Sequence, residues 1–205
     1  MKENEKIGYI QATRLIDFKE HPFIVEENTA FIELMDSIAR EGVLVPLIVR
    51  RQKEKQNYYE IISGHRRKKA CLKLGIEKVP AIIRELDDDS AILEMVDSNL
   101  QSENIKPSEK AYAYKMKLQA LQNKAKANDC FGQVGQRQKG NVGKGVNSRK
   151  ELAKQLGESE RQIQRYIRLT NLIPKILQMV DDGIIAFTVV VELCVFRLNG
   201  TASPR

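Results

Sequence analysis

At 205 residues and 23.4 kDa, with 42% hydrophobic and 30% charged residues, the sequence is long enough for one large domain or two small ones with real cores. Its most apolar stretch, Ile184 to Leu198, is broken by Glu192 and Arg197, MKENEKIGYIQ lacks the apolar segment of a signal peptide, and the three cysteines, Cys71, Cys130 and Cys194, show neither disulfide nor zinc spacing, so no membrane span and a reducing cytoplasm are expected. Residues 1–123 hold 20 basic and 20 acidic residues and residues 124–205 hold 14 and 7, so the whole net charge of +7 lies in the second part, where it points to a polyanionic partner.

Phe31, Leu34, Met35, Ile38 and Ala39 recur at helical spacing and stop at Gly42, a residue type that ends helices. VPLIVRR at 45–51 and YYEIIS at 58–63 are β-rich runs joined by the polar QKEKQN, which predicts a hairpin. The second run ends at Ser63, Gly64 bends the chain, and HRRKKACLKL predicts a helix closing at Gly75. The free N–H groups and dipole of that helix start, with the planar donors of Arg66 or Arg67, suit phosphate oxygens; a basic first turn is equally a plain solvated helix start. VPAIIREL predicts another strand and Asp88 to Leu100 another helix, which completes a small α+β domain.

Pro107 breaks the chain before SEKAYAYKMKLQAL, a helix that Ser108 would cap. From Asn123 to Asn147 five glycines accompany Lys124, Lys126, Arg137, Lys139 and Lys144 against Asp129 alone, which reads as a flexible basic linker or long loop. The run SRKELAKQLGESERQIQRYIRLTNLIP, Ser148 to Pro174, carries a helix-turn-helix signature placed at 148–172. Ser148 would cap a first helix with Leu152, Ala153 and Leu156 inward; Gly157 permits the turn; Ser159 would cap a second helix with Ile163 and Ile167 inward. Outward lie Arg161, Gln162, Gln164 and Arg165, suited to base edges, with Lys150 and Arg168 suited to phosphates. Ile184, Ile185, Phe187, Val189, Val190, Val191 and Leu193 read as helical core or as a partner surface.

The order of EGVLVPLIVR at 41–50, SGHRRKKA at 63–70, SNLQSENIKPSEKAYAY at 98–114 and the helix-turn-helix resembles the ParB family of partition proteins, particularly those of mobile elements. The resemblance implies an α+β ParB/sulfiredoxin-like domain over 1–105 followed by an all-α helix-turn-helix domain over 106–205. It also implies CTP and Mg2+ as cofactors, double-stranded DNA with a centromere-like site as partner, a homodimer, a ParA-type ATPase and a cytoplasmic, nucleoid-associated location. By position, Ser63, Gly64, His65, Arg66 and Arg67 would hold the triphosphate, Gly42 to Pro46 would line the nucleoside side, and Asn99 would help hold phosphate and the metal. Ser159 joins the DNA-binding set at the start of the recognition helix.

Several departures qualify what the family pattern implies. Ser98 stands where the family often has a glutamate tied to hydrolysis, with Asp97 one position earlier, so at most weak CTP turnover is expected. Ser102 replaces a common arginine, Glu26 replaces the arginine of an early motif, and Gly64 occupies the place of the cysteine that a sulfiredoxin-type site needs. Family members commonly continue into a dimerisation domain, whereas this sequence stops at Arg205, so transient pairing through the N-terminal domain is expected rather than a stable dimer. A small-molecule kinase on the same fold, resembling free-serine kinases, and a plain helix-turn-helix transcription regulator are the alternatives.

Overall fold

The computed structural model describes residues 7–19, 21–53, 55–101, 105–131 and 144–199, with side chains at all of these except 128–131, 144–147 and 194–199. The chain divides into two compact units, Met1–Asn99 and Leu100–Arg205.

The first unit runs β1 (Ile7–Gln11), a 3-10 turn (Ala12–Arg14), β2 (Leu15–Asp17), α1 (Thr29–Glu41), β3 (Leu47–Arg51), β4 (Tyr59–Ser63), α2 (His65–Lys73), β5 (Lys78–Ile83) and α3 (Asp88–Leu100). The sheet order is β1-β5-β3-β4-β2, with the expected antiparallel β3–β4 hairpin and parallel pairings of β3 with β5 and β2 with β4. Strand alternation sends Leu47, Val49, Ile61, Val79 and Ala81 to one face, where they pack with Phe31 and Ile38 of α1 and Ala70 and Cys71 of α2. Cys71 is a fully buried free thiol. Asn28 caps α1 by accepting from Phe31 N at 3.1 Å, and Gly42, at φ 75°, ends it. On the other parity of β3, Arg50 pairs with Glu60 at 2.6 Å and with Asp88 at 2.7 Å, tying the sheet to the first turn of α3.

The second unit holds α4 (Pro107–Phe131), α5 (Lys144–Leu156), α6 (Glu160–Leu169), α7 (Pro174–Asp181) and α8 (Phe187–Asn199). One cluster joins Tyr114, Leu152 and Ile163, with Ala153, Leu156 and Ile167 packed against it; another joins Ala111, Leu169, Leu177, Val180, Val190 and Val191. The apolar run after residue 184 is thus divided: Val190 and Val191 are core, Ile185 and Phe187 pack on it, and Ile184, Val189 and Leu193 are exposed. No described helix is long and apolar enough to cross a membrane.

Three local expectations are corrected. α4 runs past Leu121 to Phe131 because Lys and Ala in NKAKAND are good helix formers, so 123–131 is helix rather than linker. Residues 132–143, with Arg137 and Lys139, lie outside the described residues, as do Ser102 and the side chains of Cys130 and Cys194. α5 already starts at Lys144, which leaves Ser148 buried inside the helix instead of capping it. Ser108 does not cap α4 either: the helix opens on Pro107, whose missing N–H costs nothing there, and Ser108 donates its N–H and hydroxyl to the Asp181 carboxylate at 2.9 and 2.5 Å.

Candidate functional site

The turn from β4 into α2 is built around Gly64, whose φ of 111° and ψ of 22° lie in the left-handed region. A Cβ there would stand 2.7 Å from Leu47 Cγ and 3.3 Å from Arg67 Nη2, so both backbone and packing require glycine. The turn leaves His65, Arg66 and Arg67 in the first turn of α2, where backbone N–H groups are unpaired within the helix and the dipole is positive. Arg66 is exposed. Arg67 is half-buried and donates from Nη1 to the Val45 carbonyl and, at 2.9 Å, to the Pro46 carbonyl; burial pushes its pKa down. The structure therefore brings together Gly64, Arg67 and Pro46, with Gly42 opening the same loop at the end of α1 and Ser63 paired to Ile48 at its other side.

His65 points inward, with 9% of its surface exposed, and its ring stacks on that of His21 with centroids 3.7 Å apart and a tilt of 40°. His21 Nδ1 lies 2.8 Å from the Phe23 carbonyl, and Nε2 of both rings is buried without a hydrogen-bond partner. Burial lowers both imidazole pKa values, that of His65 to about 3 with His21 and Lys68 adding to the effect and Asp17 opposing it. Asp17 is itself paired with Lys68 at 2.9 Å.

Asn99 closes α3 and turns back on it, donating from Nδ2 to the Met95 carbonyl at 2.7 Å, while Ser98 Oγ donates to the same carbonyl at 2.9 Å. These bonds stay within α3 and do not link Asn99 to the 63–67 turn. Among the described residues no group of three or more His, Cys, Asp or Glu side chains could hold a metal. Mg2+ fits only as an ion carried by phosphate oxygens and waters, its usual mode, with Asn99 Oδ1 as the side-chain oxygen on offer.

In the second unit, Gly157 takes φ 66° and Ser159 Oγ accepts from Gln162 N at 3.1 Å, which starts α6 sharply. Ile163 and Leu169 face the core; Arg161 and, on α5, Lys150 are exposed, and Gln162, Gln164, Arg165 and Arg168 are partly exposed. The Arg165 guanidinium lies 5.5 Å from the ring centre of Phe187, a stacking arrangement with α8. Glu158, in the turn, accepts from Lys110 Nζ at 2.6 Å and from Tyr114 Oη at 2.8 Å, both on α4, and Lys110 Nζ lies 4.9 Å over the Tyr166 ring. Burial and the Glu158 carboxylate push the Tyr114 hydroxyl pKa well up. The sequence pattern pointed to neither the His21 contact nor this clamp, since they join residues 44 to 48 apart in the chain.

A mixed sheet of this order, with a glycine-opened helix beside its central hairpin and further helices following, is an α+β fold, and it is shared with the Pnob8-like ParB-N domain at a TM-score of 0.60 and 19% identity over 98% of this chain and 84% of that chain. Residues 1–100 match the model of the ParB N-terminal domain. This half of the chain belongs to the ParB N-terminal domain family. It is 30% identical over 181 residues to stage 0 sporulation protein J of Bacillus subtilis (strain 168), covering 85% of this chain and 53% of that protein. It is 38% identical over 122 residues to the nucleoid occlusion protein of Bacillus cytotoxicus, covering 60% and 41%. The chain spans about half the length of the curated relatives it matches. The C-terminally truncated chromosome-partitioning protein ParB from Caulobacter crescentus complexed to the centromeric parS site shares the fold, with a TM-score of 0.54 at 20% identity over 91% of this chain and 84% of that chain.

Proposed function

We propose that the chain is a CTP-responsive, sequence-specific DNA-binding protein serving partition or maintenance of a plasmid, chromosome or integrated element. The observation that carries this reading is the face of α6: a Ser159-capped helix, entered through Gly157, that buries Ile163 and turns Arg161, Gln162, Gln164 and Arg165 outward. On this reading α5 and α6 form the helix-turn-helix of an all-α DNA-binding domain, those four side chains meet base edges, and Lys150 and Arg168 meet phosphates. A structural neighbour complexed to a centromeric site favours the same assignment.

The Ser63–Arg67 turn takes the triphosphate, Gly42 to Pro46 flanks the nucleoside, and Asn99 faces phosphate and metal. Mg2+, when bound, supplies positive charge to the phosphates. With Ser98 in the place of an acid, binding rather than hydrolysis is the working event. A homodimer and a ParA-type ATPase complete the proposal. Fragments selected by the chain from random duplex DNA supply the test ligand. Arg165→Ala weakens binding to the selected site by about 1–3 kcal/mol and relaxes discrimination, and unchanged binding in the double variant Arg161→Ala, Arg165→Ala overturns the assignment. Arg67→Ala and Gly64→Ser abolish heat release on titration with CTP and Mg2+, and a wild-type chain that releases none overturns the nucleotide site.

A further inference from the structure

We propose that His21 and His65 form a paired anion site whose occupation by a phosphate group takes up a proton from solution. The inference rests on the nucleotide reading only for the identity of the anion. A carbonyl oxygen accepts and cannot donate, so the 2.8 Å contact with Phe23 puts the ring proton of His21 on Nδ1. In the neutral ring Nε2 is then a bare lone pair, buried and without a partner, and the Nε2 of the stacked His65 is likewise unpartnered. Leaving such atoms unbonded in the interior costs about 1–3 kcal/mol each. The His21 lone pair can bond a phosphate oxygen only after a proton from solution binds Nε2 and turns it into a donor.

The surroundings choose an anion over a metal cation. His65 opens α2 and is followed by Arg66, Arg67, Lys68 and Lys69, so helix dipole and side chains make the local field positive. The groups acting on the pair are Asp17 at the end of β2, already bonded to Lys68, and Lys68 itself, so no free carboxylate faces the rings from these elements. Both Nε2 atoms are closed off from solvent, so the phosphate enters as the segment around His21 gives way. That segment is held to α2 by the bond from Lys69 Nζ to the Val25 carbonyl at 3.2 Å. Burial keeps both rings neutral; an anion beside them reverses the balance and favours the imidazolium.

Calorimetric titration of the full chain with CTP and Mg2+, repeated at one pH in buffers of different ionisation enthalpy, counts the protons taken up. The expected result is an uptake approaching one proton at pH 7.5, with affinity rising up to about tenfold as the pH falls from 8 to 7. His21→Phe keeps a ring against His65 and loses the uptake, and His21→Asn, which has no ring but keeps a polar side chain, loses it too. Inorganic tripolyphosphate is titrated in parallel. Proton-coupled binding of tripolyphosphate without binding of CTP upholds the pair and removes the nucleotide reading. CTP binding with no uptake, or with uptake kept in both His21 variants, overturns the pair and leaves the nucleotide reading standing. Absence of binding by either ligand overturns both, and a Co2+ absorbance in the ligand-free chain that His21→Phe abolishes replaces the anion by a metal and also overturns the pair.

Discussion

Gly64 and Gly157 share a positive φ but differ in what surrounds them, and the difference is measurable. Nothing lies within 4 Å of where a Gly157 Cβ would stand, whereas a Gly64 Cβ meets Leu47 in the core at 2.7 Å. Gly157→Ala therefore carries only the backbone cost, about 1 kcal/mol. Gly64→Ala adds the overpacking cost of moving a fully buried leucine, about 1–3 kcal/mol more. Urea unfolding midpoints of the two variants give this order, and equal losses would refute it. The histidine pair has its own pH signature. Folding makes both rings harder to protonate, so below pH 6.5 the unfolded chain binds protons that the fold refuses. Stability is full above pH 6.5 and falls on acidification towards about 3, by at most about 1.4 kcal/mol per pH unit for His65. Between pH 7 and 5 the midpoint of the wild type drops, and His65→Phe flattens that drop.

At the scale of elements, the Lys110–Tyr114–Glu158 clamp sets how the turn before α6 sits on α4. Tyr114→Phe keeps the edge-to-face contact with Tyr166 and removes one bond to a charged acceptor, at a cost of about 1.5–3 kcal/mol. Its melting point falls, and its binding to selected DNA weakens more than its binding to random DNA because the residues of α6 proposed to meet base edges lose their fixed position. Equal loss on both DNAs assigns Tyr114 to stability alone. What was readable in the chain follows the same division. β3, β4, α3, Gly64 and the Ser159 cap were legible because each answers to a local rule of alternation, end charge or dihedral angle. β1 was not, because it is an edge strand with Ile7 and Tyr9 exposed, and β2 was not, because three residues carry no period. The polar stretch after Leu121 misled because linkers and solvent-exposed helices draw on the same side chains, and only its Ala and Lys content favours the helix. The site was legible as far as the glycine and the arginines reach; His21, Glu158 and Asp181 act through pairings that form only in the folded chain.

For the whole molecule, the charge division of the sequence sets how binding responds to salt. Residues 1–123 are balanced and residues 124–205 carry the excess of +7, so DNA affinity falls steeply as ionic strength rises. Lys150→Ala reduces the slope of log K against log salt by about one while weakening all sequences nearly equally; a slope unchanged from wild type removes Lys150 from the phosphate contacts. Cys71 gives the molecule a clock. Its thiol is wholly enclosed between α2 and the sheet and burial raises its pKa, so an alkylating reagent reaches it only in moments when α2 parts from the strands. With Cys130 and Cys194 replaced by serine, the rate of alkylation at Cys71, measured at reagent concentrations where it no longer rises, times that parting, and a ligand seated at the head of the same helix slows the clock without touching the sulfur.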